Sequence, residues 1–418
     1  MSVYYIDFFD GNDLLDGLSP QNAKKTQDSV ELKAGDSILF KCGTLFRGRL
    51  KLVSGSDEAP IRYGAYGEGE APVFCASTKV SNVLDWKPTD KENVWECVRE
   101  IKGDVGNFVL DGECNATFRW NENELCEQGD FFDSRFADGE QRRRQFSKQR
   151  VLFYSSKNPA EYYKNIECVS YADRVLGSLR SNVIIEDLCF KNSGVHALAG
   201  AGKNVTVRRC NFENIGGCAW NSDLKIRFGN GVEFWNYGEN VLVENCAFKN
   251  VYDSCVTHQG GGPELRPAKN FVCKNNLFDT YGMAALELRD IVAAGLYFND
   301  NECKNAGCGF AMLGEELPRS SEIWPQPMGH HIFLWRMSKE DTTEGGYVEI
   351  KNNKFYEAPV GAAIYSIIAP EAEAQFFIDE NQYTPNEKLL VRYNGENFSD
   401  FAEYSKKTGN DKNGNCLD

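Results

Sequence analysis

Seven short segments in the second half of the chain fall into one register, and this repeat constrains the fold more than any other feature. VIIEDLCF, VTVRRCNF, VLVENCAF, FVCKNNLF, LYFNDNEC, VEIKNNKF and FFIDENQY begin at Val183, Val205, Val241, Phe271, Leu296, Val348 and Phe376. In each, positions one and three are apolar or Cys, position eight is aromatic or Cys, and positions four and five are mostly polar. Alternation with period two reads as strand, whereas a helical stripe would need apolar residues three and four apart. The shortest spacing runs from Val183 to Val205, and the others add insertions. That is the pattern of a solenoid whose loops vary while its strands stack.

After position eight most repeats continue to an asparagine: Asn192, Asn214, Asn250 and Asn305. A turn residue thus recurs at one height, and stacked asparagines can bond one another and the turn backbone, so no chemistry is assigned to them. Each coil then enters a second apolar strand, HALAG, GVEFW, SCVTHQ, AALELR, GFAML or GAAIYS. Two or three strands per coil describe an all-β parallel β-helix, whose hand the spacing alone leaves open.

A repetitive architecture of this kind accommodates 418 residues as one unit. Residues 1–75 read as an N-terminal cap with the first coils, and 181–400 as the regular helix. Residues 76–180 read as irregular coils with a large polar loop, an inserted domain being the alternative. The tail over 401–418 is rich in Gly, Asn and Lys and is expected to fray.

A net charge of -15 argues against nucleic acid and acidic polysaccharides as partners. The run Arg142-Arg143-Arg144, with Lys148 and Arg150, reads as a solvated loop, a local anion site being the alternative. Fifteen cysteines scatter singly through strand-like segments, which fits buried free thiols in a reducing compartment rather than a disulfide scaffold. MSVYYIDFFDG lacks a basic region followed by an apolar one, and nowhere do eighteen apolar residues run together. A cytoplasmic protein without a membrane partner is expected. Nothing in the pattern speaks to oligomeric state.

The opening, YYIDFFDGNDLLDGLSPQNAKKTQDSVELKAGDSILFKCGTLFRGRL followed by SGSDEAPIRYGAYGEGEAPVF, resembles the N-terminal part of bacterial right-handed parallel β-helix repeat proteins of the pectate-lyase-like superfamily. GNGVEFW, YDSCVTHQG and ALEL resemble strands of one branch associated with glycosidases. Together these stretches cover most of the chain. The resemblance implies a right-handed parallel β-helix and a carbohydrate-active enzyme, either a glycoside hydrolase or a polysaccharide lyase.

Parallel coils stack about 4.8 Å apart, so equivalent residues form ladders and every second one faces outward. Counting from the terminal aromatics Phe248 and Phe278 brings Thr257 beside Glu287, and Gln259 beside Arg289. Aligning GVEFW with ALELR puts Glu233 in the same column and Trp235 next to it. In the flanking coils this column should read Ala199, Met312 and Ile364. An outward glutamate explains why GVEFW tolerates a carboxylate between apolar neighbours.

Glu233 and Glu287, roughly 9.6 Å apart along the stack, are the expected acid and base or nucleophile of a glycosidase, a gap that favours inversion. Asp253 is a third carboxylate, a replacement for Glu233, or a turn aspartate. Glu287 has the alternative of a solvated carboxylate paired with Arg289. Asp223, Lys225 and Arg227 from the inserted NSDLKIRF lie near this face, and Trp220 and Trp235 suit sugar stacking or simple wedging between coils. His258 points inward by alternation unless the Gly260-Gly261-Gly262 loop turns it out to join the substrate, and His196 is similar. His330-His331 close the longest insertion, which also carries Glu315, Glu316, Arg319 and Trp324 and is expected to wall a groove. No cofactor or transition metal is expected, because two adjacent histidines are too few ligands; DFFDGNDLLDG lacks the EF-hand order for calcium.

The leading expectation is a glycosidase for a short neutral oligosaccharide. The alternatives are a lyase or an intramolecular fructan transferase on the same fold, with Arg289 or Lys225 as base in the lyase case. A non-catalytic glycan-binding solenoid would carry aromatic and amide residues without a carboxylate pair.

Overall fold

The computed structural model describes residues 1–136, 149–172, 175–221, 223–312, 319, 324, 326–337, 343, 345–368 and 374–417. Each regular coil has three strands. Lys269–Lys274, Leu277–Tyr281 and Ala284–Arg289 make one coil, and they pair in parallel with Ala294–Asn299, Glu302–Ala306 and His330–Met337 of the next. Repeated along the chain, this gives two long, largely parallel sheets of 17 and 10 strands. The chain is a right-handed parallel β-helix, with the hand that parallel crossovers almost always adopt.

The alternation read from the repeat is the burial alternation of the first strand. Phe271 and Cys273 are buried while Val272 and Lys274 lie half-exposed. The position-eight aromatics Phe190, Phe212, Phe248 and Phe278 stack inside the coil, and Phe74 of an earlier coil continues the stack, with ring centroids 4.5–5.9 Å apart. Each buried ring contributes about 1.5–3 kcal/mol by leaving water, and stacking adds about 0.5–1.5 kcal/mol. Asn192, Asn214, Asn250 and Asn305 hold the left-handed backbone of the following turn, with φ of 54–55°. Asn250 Nδ2 donates to Asn214 Oδ1 at 3.3 Å, so the asparagines are structural.

A second ladder occupies position six of the later repeats: Asn276, Asn301, Asn353 and Asn381, all buried. Each side-chain oxygen accepts the backbone N–H of the coil before it, at 2.9–3.0 Å, satisfying turn donors that have no water. Asp411 ends the ladder: its Oδ1 accepts the Asn381 N–H at 3.1 Å, and its Oδ2 accepts the Tyr383 hydroxyl at 2.6 Å. The C-terminal stretch therefore does not fray as expected. It folds into a helix, Phe401–Thr408, whose Tyr404 is wholly buried, and a final strand, Asn415–Cys416, on the last coil.

Residues between the early coils form an inserted unit rather than irregular coils. Ile61–Tyr66 pairs directly with Val183–Glu186, and Val73–Cys75 with Cys189–Ser193. Between them, Thr78–Lys79, Val105–Leu110, Cys114–Asn115 and Ile166–Ser170 make one small sheet, and a second runs through Trp86–Pro88, Val94–Cys97, Thr117–Phe118, Asp130–Asp133 and Val151–Tyr154. These are mostly antiparallel and close on their own core of Trp86, Phe108, Phe131 and Phe153. Arg142-Arg143-Arg144 and Lys148 lie outside the described residues.

All fifteen cysteines are free thiols and ten of them are buried. Among the described residues no helix is long and apolar enough to cross a membrane.

Candidate active site

The third strand of each coil builds the site face. Its register runs Ala199, Glu233, Thr257, Glu287, Phe333 and Tyr365, all in parallel pairs. The first four match the sequence count. Phe333 and Tyr365 replace the expected Met312 and Ile364, because GFAML is a short 3-10 turn and the long insertion comes before the third strand of that coil. Trp235 pairs with Gln259, and Arg289 with Trp335.

A cavity of about 280 Å³ opens on this face, lined by Glu233, Asp253, Gln259 and Arg289 from the coils. The hairpin of Cys218–Asn221 and Ile226–Phe228 supplies Trp220, Ile226 and Phe228, and the long insertion supplies Arg319 and Trp324. Trp220 and Trp235 are 51% and 44% exposed, so both present indole surface to a ligand. Ile226, Met283 and Trp324 belong to an apolar cluster outside the coil, distinct from the phenylalanine stack.

Glu233 is almost wholly buried, and its Oε2 accepts from Asn230 Nδ2 at 2.6 Å and Gln259 Nε2 at 3.1 Å. His196 Nδ1, which accepts the Asn230 N–H, stands 3.4 Å from the same oxygen. Asn230 Oδ1 in turn accepts the Ser254 N–H at 2.9 Å, and Ser254 Oγ donates to Glu287 Oε2 at 2.8 Å. A hydrogen-bonded chain from Glu233 to Glu287 thus passes through Ser254, next to Asp253. Both glutamates lean three residues back along their strands, as long strand side chains do.

Asp253 sits in the coil between them, at the entry to the strand Ser254–Gln259. Its Oδ2 lies 3.0 Å from Arg319 Nη2, and its Oδ1 finds no hydrogen-bond partner among the described residues. An ion pair ordinarily lowers a carboxyl pKa. Here burial outweighs Arg319 and, with the Glu287 charge behind it, pushes Asp253 up to about 6.

Glu287 points out of the coil as expected but is fully buried and does not line the cavity. Trp335 Nε1 donates to its Oε1 at 3.2 Å, Thr257 Oγ1 is 3.4 Å from Oε2, and Arg289 Nη1 is 3.8 Å from Oε1. The next coil covers it, which corrects the expectation of an open carboxylate. Thr257 is likewise buried under this network rather than facing a ligand. His258 is inside the coil, in register with Phe234 and Leu288; the glycine loop does not turn it out, and neither ring nitrogen has a partner among the described residues. Asp223 and Lys225 are exposed on the hairpin turn, away from the cavity wall. Arg227, beside them in sequence, is buried with its guanidinium over Phe118 and Tyr252.

His330 and His331 are buried and structural: Tyr281 shares a 2.5 Å hydrogen bond with His331, and the Ala362 N–H donates to His330 Nδ1. Glu315 and Glu316 lie outside the described residues. Among the described residues no three His, Cys, Asp or Glu side chains gather in a way that could hold a metal ion. Sequence reasoning did not find Asn230, Met283 and Asp290 in the wall. Asn230 carries the one available signal, a polar residue in the same GNGVEFW stretch as Glu233.

No family model matches the chain, and no curated protein matches it. Among solved structures it is similar to XylC in complex with xylose, at 10% identity and a TM-score of 0.62, over 93% of this chain and 66% of that one. It is also similar to a GH136 lacto-N-biosidase from Eubacterium ramulus, at 16% identity and a TM-score of 0.51, over 93% of this chain and 57% of that one. The chain thus spans less than two thirds of the length of either. At such identities the likeness defines a class by fold, the right-handed parallel β-helix proteins.

Proposed function

We propose that the protein is a glycoside hydrolase that cleaves a short neutral oligosaccharide with Asp253 and Glu233. The observation that carries this reading is their convergence in one cavity wall beside two half-exposed tryptophans. Asp253 lies one coil from Glu233 and, with its N–H on the Gly229 carbonyl, four residues back along the strand, the direction in which the Glu233 side chain leans toward Asn230. We assign this pair a retaining mechanism, for which carboxylates about 5 Å apart are needed, in place of the inverting pair of Glu233 and Glu287.

Asp253, titrating near 6, protonates the leaving oxygen as the glycosidic bond breaks. Glu233, positioned by Asn230 and Gln259, attacks the anomeric carbon to form a glycosyl ester. Water, giving its proton to the Asp253 carboxylate, then displaces Glu233 and releases the sugar. Glu287 acts from behind by holding Ser254 and Trp335 and by adding its charge to the field at Asp253.

The wall's cations support a neutral substrate. Arg319 is paired with Asp253, and Arg289 lies 3.2 Å from Asp290, so neither stands ready for a uronate carboxylate or serves as an eliminating base. Two fold neighbours bear on the class: one contains xylose and the other is named as a lacto-N-biosidase. The test is turnover of nitrophenyl glycosides and neutral oligosaccharides by wild type and Asp253→Asn, following new reducing ends. Release that collapses in the variant supports hydrolysis. An ultraviolet-absorbing unsaturated product would point to a lyase, transfer without new reducing ends to a transferase, and binding without turnover to a glycan-binding solenoid.

A further inference from the structure

Arg319 comes to Asp253 from the long insertion, across the cavity wall from the coils. It is 3% exposed, and one nitrogen, Nη2, serves two acceptors: Asp253 Oδ2 at 3.0 Å and the Arg227 carbonyl at 2.8 Å. Its guanidinium also lies 4.5 Å from the Trp324 ring centre. Arg227 is itself fixed, since its Nε donates to Gly217 O at 2.6 Å, a second nitrogen donates to Gly106 O, and Phe118 and Tyr252 sandwich it at 4.2 and 4.6 Å. Gly106 and Phe118 belong to the inserted unit, so an unbroken line of contacts runs from that unit through Arg227 and Arg319 to Asp253.

Resting on the reading of Asp253 given above, we propose that Arg319 is a positioning residue. It fixes the Asp253 carboxyl through Oδ2, so that Oδ1, which no protein donor reaches, carries the exchangeable proton. The titratable and charged groups around Asp253 come from three sides: Arg319 from the insertion, Glu287 and Arg289 from the strand Ala284–Arg289, and Tyr252 beside it with Glu233 of the preceding coil in the same cavity wall. Arg319 is the cation in contact. Its removal leaves burial and Glu287 unopposed at close range, and both favour the protonated acid. The limb of the pH profile that belongs to Asp253 must then move to higher pH.

The test is the pH dependence of kcat/KM for wild type, Arg319→Gln and Arg319→Lys, with a 13C NMR titration of the Asp253 carboxyl assigned by its loss in Asp253→Asn. In Arg319→Gln the limb and the carboxyl titration are expected to move up together by about one pH unit or more. Arg319→Lys keeps the charge but not the rigid planar head that spans Asp253, the Arg227 carbonyl and the Trp324 face, and is expected to hold the limb near its wild-type place while kcat falls about tenfold or more. A limb that stays put in Arg319→Gln, or an Arg319→Lys enzyme with unchanged kcat, overturns the assignment. If Arg319→Gln does not fold, the lysine variant alone decides. Wild type that turns over no glycoside would remove the hydrolase reading instead, and the carboxyl titration would still judge Arg319.

Discussion

Asp253 Oδ2 and Arg319 Nη2 stand 3.0 Å apart with both side chains almost wholly removed from water. The pair does not keep the carboxyl acidic, because burial pushes it up to about 6. A general acid with that value loses its proton as pH rises through it. Wild-type activity is therefore expected to fall on the alkaline side with a midpoint near 6. A pH–rate profile checks this, and the limb should vanish from whatever activity remains in Asp253→Asn.

Replacing Glu233 by Gln keeps the contacts to Asn230 and Gln259 approximately in place but removes the carboxylate proposed as nucleophile. A loss of about 10²–10⁴-fold in kcat is expected, as for Asp253→Asn. Glu287→Gln should cost clearly less, because the side chain touches no cavity surface, and a glutamine whose oxygen accepts from Trp335 can donate its amide to the Ser254 hydroxyl. Kinetics on the three variants decide the order. A Glu287→Gln loss larger than that of Glu233→Gln would hand the role to Glu287.

Three buried histidines set an acid limit on stability. Burial lowers His258 to about 4, His330 to about 3 and His331 to about 4. The folded protein keeps them neutral while the unfolded chain protonates them below about 6.5. Stability should be complete above that pH and fall as pH drops toward 4, where the unfolded state binds the extra protons. His258→Leu should flatten part of this slope and raise Tm at every pH, because it removes two buried ring nitrogens that lack partners among the described residues. Thermal unfolding from pH 4 to pH 8 measures both.

The C-terminal cap should be thermodynamically part of the helix. Removing residues 401–418 deletes Asp411, which accepts from Asn381 and Tyr383, and uncovers a buried tyrosine. Asp411→Ala leaves the same donors unpaired, at about 1–3 kcal/mol for each buried group. Lower Tm and fast amide exchange at Asn381 are expected in both. Unchanged exchange would mean that the last coil does not depend on the cap.

Much of this fold was legible because a solenoid repeats its contacts at fixed height. The column of Ala199, Glu233, Thr257 and Glu287 could be counted from Phe248 and Phe278, since each coil keeps the same path from the aromatic stack to the third strand. The count failed at Met312, where the insertion falls before the strand instead of after it. The inserted unit escaped because antiparallel pairs such as Val105–Leu110 with Ile166–Ser170 join distant segments and leave no period. Position six of the later repeats displayed the Asn276 to Asn381 ladder in plain view, but only its burial and the Asp411 ending show its work. In the site, alternation correctly turned Glu287 outward. It carried no information on Trp335, whose coil covers that carboxylate, or on Arg319, which reaches Asp253 through a loop.

On the proposed mechanism Glu233 becomes covalently glycosylated, with Asp253 as the acid. Incubation with a 2-fluoro glycoside of a sugar that the enzyme turns over, followed by peptide mass spectrometry, tests it most directly. A single adduct on the peptide carrying Glu233 is the predicted result. An adduct on Asp253 or Glu287, or turnover that yields the inverted anomer with no adduct, would contradict it.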